Sequence, residues 1–220
     1  MKKNEQSQKP NLWGILWHPR EQLLKIRQNS LIAFPLIVVT ILYVVASTLE
    51  ALSIRTEDIR LSGMSLQEAE MVSANAKAFT AMSGFITPIF SITALTFLYY
   101  IIVKIAKKDV PFKNLFSMNT YLFVIVAVGL LFNSLLWMIL DNPLSGKFVT
   151  SLGGILKSDF TPLYSIELFS IWHYIVTGIG LYTIGQLSKK ASIFFVIILF
   201  ILELFLSFLG TEIFNLIANQ

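Results

Sequence analysis

The sequence predicts an all-α fold: a polytopic membrane bundle of five transmembrane helices, preceded by an amphipathic interfacial helix. Three observations carry this. Only 14% of the 220 residues are charged while 55% are apolar, and the mean hydropathy is +0.70. A soluble domain carries about 25% charged residues. Five apolar stretches approach the roughly 20 residues that a helix needs to cross a bilayer core. Lys and Arg concentrate in alternate flanks of those stretches, as the positive-inside rule requires of a threaded chain.

The spans are expected at about 31–49, 79–103, 120–140, 166–186 and 191–209. Hydrocarbon offers the backbone no hydrogen-bond partner, so each run reads as a helix. Val44-Val45-Ala46 loosely fits a cleavage site after the first run. However, roughly 30 residues precede that run, which is long for a secretory signal, so it reads as a span. Five spans divide the chain into three parts: an arm over 1–30, a bundle over 31–209 and a tail over 210–220.

Orientation follows from the flanks. One side holds twelve basic residues: Lys2, Lys3, Lys9, Arg20, Lys25 and Arg27 in the arm, Lys104, Lys107, Lys108 and Lys113 after span two, Lys189 and Lys190 after span four. The other side holds five: Arg55, Arg60, Lys77, Lys147 and Lys157. This places the N-terminus in the cytoplasm and the C-terminus outside the cell membrane. The net charge of +4 is thus split among membrane flanks, which argues against a nucleic-acid partner.

Residues 11–27 place Leu12, Trp13, Leu16, Trp17, Leu23, Leu24 and Ile26 on one helical arc, with Gly14, His18, Glu21, Gln22 and Lys25 on the other. Trp13, Trp17, Arg20, Lys25 and Arg27 are the candidate membrane-interface residues of a helix lying in the bilayer surface. Packing on the cytoplasmic ends of the spans is the equal alternative. Pro19 predicts a bend and a fresh helical turn. Ser65-Leu66-Gln67-Glu68 has capping-box spacing, so the second helix should begin outside the membrane and run in. Asn142-Pro143, Ser145-Gly146, Gly153-Gly154 and Thr161-Pro162 read as turns, with a short helix between Lys147 and Leu156. The basic 104–118 loop, with Phe112 and Phe116, is expected on anionic headgroups.

The candidate intramembrane polar residues are Glu203, His173, Thr177 and Asn133. A carboxylate inside span five costs about 2.5–3.5 kcal/mol on insertion scales, so Glu203 must be protonated, paired or wet. It serves either a proton or cation path, or a carboxyl gluing two helices. Ser170, His173, Thr177 and Gly180 share one face of span four, where His173 is either a pH-sensitive site or a satisfied structural residue. Thr80, Ser83, Gly84, Thr87, Ser91 and Ala94 form a small-residue stripe expected to be the packing seam of span two, with Pro88 inside it. Asn133, one turn after Gly129, is a candidate cross-helix hydrogen bonder. The chain has no cysteine and two histidines, and it shows no nucleophile elbow, zinc-protease motif, phosphate loop or dinucleotide fingerprint. No catalytic residue, metal site or cofactor is expected, and no internal repeat of the transporter kind occurs.

Two segments carry a family resemblance. The opening NLWGILWHPREQLLKIRQNSLIAFPLIV resembles the start of bacterial Yip-type domains. The more specific segment is LFSIWHYIVTGIGLYTIGQLSKKAS, over 168–192. It resembles that family's Phe-Ser-x-Trp approach to span four, a Gly-x-Gly pair, and a Ser-Lys-Lys turn into span five. The likeness covers about residues 11–209. It implies a five-span, non-enzymatic membrane protein. Eukaryotic members interact with Rab/Ypt GTPases, but this chain lacks their long N-terminal extension, so Rab binding is not expected. Some bacterial members act as accessories to ABC-type exporters in envelope or antimicrobial-peptide defence. The expected function is therefore a membrane scaffold with a membrane-protein partner in the bilayer, homo-oligomers included. The alternative is a small conductance protein with Glu203 and His173 lining a polar path.

Overall fold

A computed structural model describes residues 9–60, 64–140, 148–158 and 160–218, and among these it holds helices and no strand. Among the described residues nine α-helices run in order: α1 Gly14–Trp17, α2 Pro19–Gln28, α3 Ala33–Ser53, α4 Thr56–Ile59, α5 Leu66–Ile105, α6 Phe112–Leu140, α7 Leu152–Leu156, α8 Leu168–Thr183 and α9 Lys189–Ala218. A 3-10 turn at Thr161–Tyr164 precedes α8.

Among the described residues four helices have the length and apolarity to cross a membrane: α3, α5, α6 and α9. The fourth expected span is shorter than predicted. At 16 residues α8 is about 24 Å long, against a hydrocarbon core of about 30 Å. The other expected spans are longer than their apolar runs. At 40 residues α5 extends about 60 Å, twice the core. Its start is the capping box: Ser65 Oγ accepts from Glu68 N (3.3 Å) while Glu68 Oε2 accepts from Ser65 N (2.9 Å). Residues 210–218 of the expected tail continue α9, which stays helical to Ala218.

The long helices alternate in direction. In α3, Leu31 O just ahead of the helix accepts from Ser117 Oγ of α6 (2.7 Å), and Tyr43 stacks on Phe123 (6.4 Å), so α3 and α6 are parallel. Between them α5 is antiparallel, tied by Asn119 Nδ2, which donates to Ile92 O (2.9 Å) and Thr96 Oγ1 (3.2 Å). Next, α8 runs antiparallel to α6: Phe169 faces Gly129, His173 meets the Phe123 ring (5.7 Å), and Gly180 faces Met118. The turn after α8 passes through Gln186 at φ 57, and α9 then runs back along α8. The core of this arrangement is α6, whose residues 117–125 are buried without a break.

Two expectations are corrected. The seam of α5 is Gly84, Pro88, Ile92, Thr96 and Tyr99, spaced three or four residues apart. Of the predicted stripe only Gly84 belongs to it, and Thr87 and Ala94 are exposed. Small size alone misplaced the stripe, since the buried face of α5 also takes the large Ile92 and Tyr99. Gly153-Gly154 is not a turn but lies inside α7. Ser151 Oγ caps that helix by accepting from Gly154 N (3.0 Å), and Gly153 lets the Tyr164 ring approach its backbone. Beside the basic loop, Phe112 packs with Phe97 (5.0 Å), Tyr100 (5.7 Å) and Phe116 (6.0 Å), so the start of α6 is held to the end of α5. The expected turns Asn142-Pro143 and Ser145-Gly146 lie outside the described residues.

Candidate functional site: an intramembrane polar cluster and a basic rim

The arm comes first, because it closes one end of the bundle. Residues 11–27 form two helices, broken at His18, and α2 begins at Pro19. Leu12, Ile15, Leu23 and Ile26 are buried against the bundle. Burying a Leu or Ile side chain is worth about 1.5–3 kcal/mol relative to water, enough to hold the arm down. The predicted arc is divided: Leu12, Leu23 and Ile26 are buried, whereas Trp13, Trp17 and Leu24 are exposed. On the polar side Gln22 is corrected to buried, because Gln22 Oε1 accepts from Asn11 N (2.7 Å) and joins the two short helices.

Of the interface residues, Trp13 and Trp17 point outward, Trp17 at 77% exposure. Lys25 pairs with Glu21 (2.7 Å), and that contact holds the Glu21 carboxyl below the usual carboxylate range. Arg27 donates to Thr183 O (3.3 Å), fastening α2 to the end of α8. Arg20 faces the groove between α8 and α9.

Deeper in the bundle, Tyr174 Oη donates to Glu203 Oε2 at 2.6 Å, linking α8 to α9. Both line a cavity of about 440 Å3 between α5, α8 and α9, together with His173, Tyr99 and Ser165. His173 is buried, its ring flanked edge-on by Phe123 and Tyr174 (5.7 Å each), and its Nε2 has no partner. Thr177, one turn on, is fully buried. The fold therefore brings His173 and Glu203 to one cavity, with Thr177 beside it.

Asn133 belongs elsewhere. Its Nδ2 donates to Gly129 O (3.0 Å) and Thr150 Oγ1 (2.9 Å), and its Oδ1 accepts from Thr150 N (3.1 Å). It therefore bonds a loop rather than a neighbouring helix. Thr150 Oγ1 also lies 2.6 Å from Glu167 Oε1 as a donor. Glu167 caps α8 by accepting from Ser170 N (2.8 Å) and is buried. Sequence reasoning missed Glu167 and Thr150. Glu is an uncommon N-cap, and Thr150 is recruited from a distant loop. Asn119 was missed too, although an Asn inside an apolar run was a signal. Among the described residues no group of three His, Cys, Asp or Glu could hold a metal ion.

A helical bundle with several membrane-length apolar helices, internal polar ties and a basic rim defines the class: a multi-pass integral membrane protein. Residues 13–210 match the Yip1 domain family, so the chain belongs to that family. It is similar to the membrane protein YknW of Bacillus subtilis (strain 168), 32% identical over 214 residues, covering 93% of this chain and 91% of that one. No solved structure matches.

Proposed function

We propose that this Yip-type protein is a non-enzymatic accessory of the cell membrane, a scaffold that assembles with another membrane protein. The partner class implied by the family resemblance is an ABC-type exporter in envelope or antimicrobial-peptide defence. The observation that carries the reading is how the intramembrane polar groups are used. Tyr174 with Glu203, Asn119 with Ile92 and Thr96, and Asn133 with Thr150 each join one segment of the bundle to another. Groups used this way hold a shape. The outer face of α9, with Phe194, Ile198, Ile201 and Phe205 exposed, is left to lipid or a partner.

The chain crosses the membrane five times in this reading, with the N-terminus cytoplasmic. Support comes from α8, which runs from the Gly129 level of α6 to its Met118 level. A helix somewhat shorter than the core is accommodated by local thinning and flanking residues. The conductance alternative rests on His173 Nε2 and Glu203 facing one cavity, but the Glu203 carboxylate already has Tyr174 as its partner.

Copurification tests the proposal. The tagged chain, extracted gently from native membranes, should bring down a defined membrane complex, and Glu203→Gln should leave that complex intact. Ion flux through vesicles holding the purified chain alone, abolished by Glu203→Gln, would replace the scaffold reading with the conductance one.

A further inference from the structure

A second cavity lies apart from the Glu203 cluster. It is a groove of about 480 Å3 between α8 and α9, open along one side. Its long walls are apolar, with Ile175, Ile179, Val196 and Ile197 among them. Its end at the basic rim is different: Arg20 of α2 and Lys189 of α9 flank it. Among the described residues neither has a carboxylate partner, and Lys189 Nζ sits over the Tyr182 ring at 5.7 Å. One turn along α9, Ser192 lines the same groove. It is 2% exposed, and its Oγ has no hydrogen-bond partner among the described residues. A buried hydroxyl without a partner costs about 1–3 kcal/mol unless something else supplies the bond.

An apolar trough ending in two cations and a hydroxyl, none with a carboxylate partner among the described residues, matches one ligand chemistry. We propose that the groove between α8 and α9 binds one anionic glycerophospholipid. Its phosphate sits between Arg20 and Lys189, a glycerol or ester oxygen reaches Ser192 Oγ, and an acyl chain lies along Ile175, Ile179 and Val196. Arg20 and Lys189 come from different helices, so the lipid also fastens the arm to the bundle. Gly178 forms the floor of the trough. A Cβ there meets only Val196 Cγ2 at 3.4 Å, so the space above it is left to the acyl chain.

The experiment uses the full chain, delipidated in detergent, with phosphatidylglycerol or phosphatidylcholine of the same acyl chains titrated in. Native mass spectrometry reads the one-to-one adduct. Phosphatidylglycerol should bind at least about tenfold tighter, since each nearby Lys or Arg contributes about fivefold for an anionic headgroup. The double variant Arg20→Gln, Lys189→Gln should lose roughly 30-fold. Lys107→Gln with Lys108→Gln, an equal charge loss on the loop after α5, should change binding little. Gly178→Leu fills the trough without a backbone clash and should abolish the adduct while the melting temperature stays near that of the parent. Equal binding of the two lipids overturns the proposal. So does equal damage from the loop variant, retention of the adduct by Gly178→Leu, or displacement of the lipid by glycerol phosphate at matched concentration.

Discussion

Tyr174 of α8 and Glu203 of α9 share a 2.6 Å hydrogen bond, 29 residues apart in sequence. This bond settles the geometry around the costliest residue in the chain. A carboxyl placed in an apolar helix is tolerable when a neighbouring helix supplies a donor.

The first prediction concerns that pair. Glu203→Gln keeps an acceptor for Tyr174 Oη and should change thermal stability in detergent little. Tyr174→Phe and Glu203→Ala should each destabilise. Their double-mutant cycle should give a coupling of about 0.6–1.7 kcal/mol, the range for hydrogen bonds between membrane helices. A coupling near zero would mean the two side chains do not depend on each other.

Two glycines should respond oppositely to the same change. A Cβ on Gly84 would stand 2.6 Å from Ser47 Oγ and 2.9 Å from Tyr43 O of α3. Gly84→Ala must push α3 and α5 apart and should cost about 1–3 kcal/mol. Gly178→Ala meets nothing closer than 3.4 Å and should be neutral or gain up to about 1 kcal/mol from helix propensity. Melting curves of the two variants in one detergent make the comparison.

Glu167 is predicted to act as a structural carboxylate. Glu167→Ala strips the N-cap from α8 and the acceptor from Thr150, and should cost about 1–3 kcal/mol. Glu167→Gln retains an acceptor for Ser170 N and should recover much of that loss. Hydrogen exchange at the first turn of α8 reports the cap directly, and unchanged exchange in the alanine variant would remove Glu167 from this role.

Topology is testable on a clean background, because the chain has no cysteine. A single cysteine at Ser158 should react with a membrane-impermeant maleimide in whole cells. One at Ser188 should react only after the membrane is opened. Both reacting in whole cells would mean that α8 does not cross.

Much of the fold was legible because bilayer constraints are local. The apolar runs became α3, α5, α6 and α9, and Ser65 with Glu68 marked where α5 starts, since a cap needs only its own four residues. Patterns that needed a partner were read less well. The stripe on α5 was placed by residue size, whereas its neighbours selected Gly84 against α3, Ile92 against α6 and Tyr99 at the cavity with α8 and α9. The helical arc of the arm put Gln22 in solvent, whereas a bond to Asn11 drew it inside. Asn133 was foreseen as a hydrogen bonder, but its partner Thr150 arrives through a loop that no helical spacing encodes.

By itself the sequence determined that this protein is helical and belongs in lipid. Hydropathy and the internal pairing of backbone groups are properties of each segment alone. Tertiary structure decided which polar residues come together: Glu203 with Tyr174, His173 at the same cavity, and Arg20 and Lys189 both lining the α8–α9 groove. Those meetings depend on how far each helix is rotated and raised against its neighbours. In lipid that is set by close packing and a few hydrogen bonds, because apolar surface alone gives helices little reason to prefer one another over the surrounding chains.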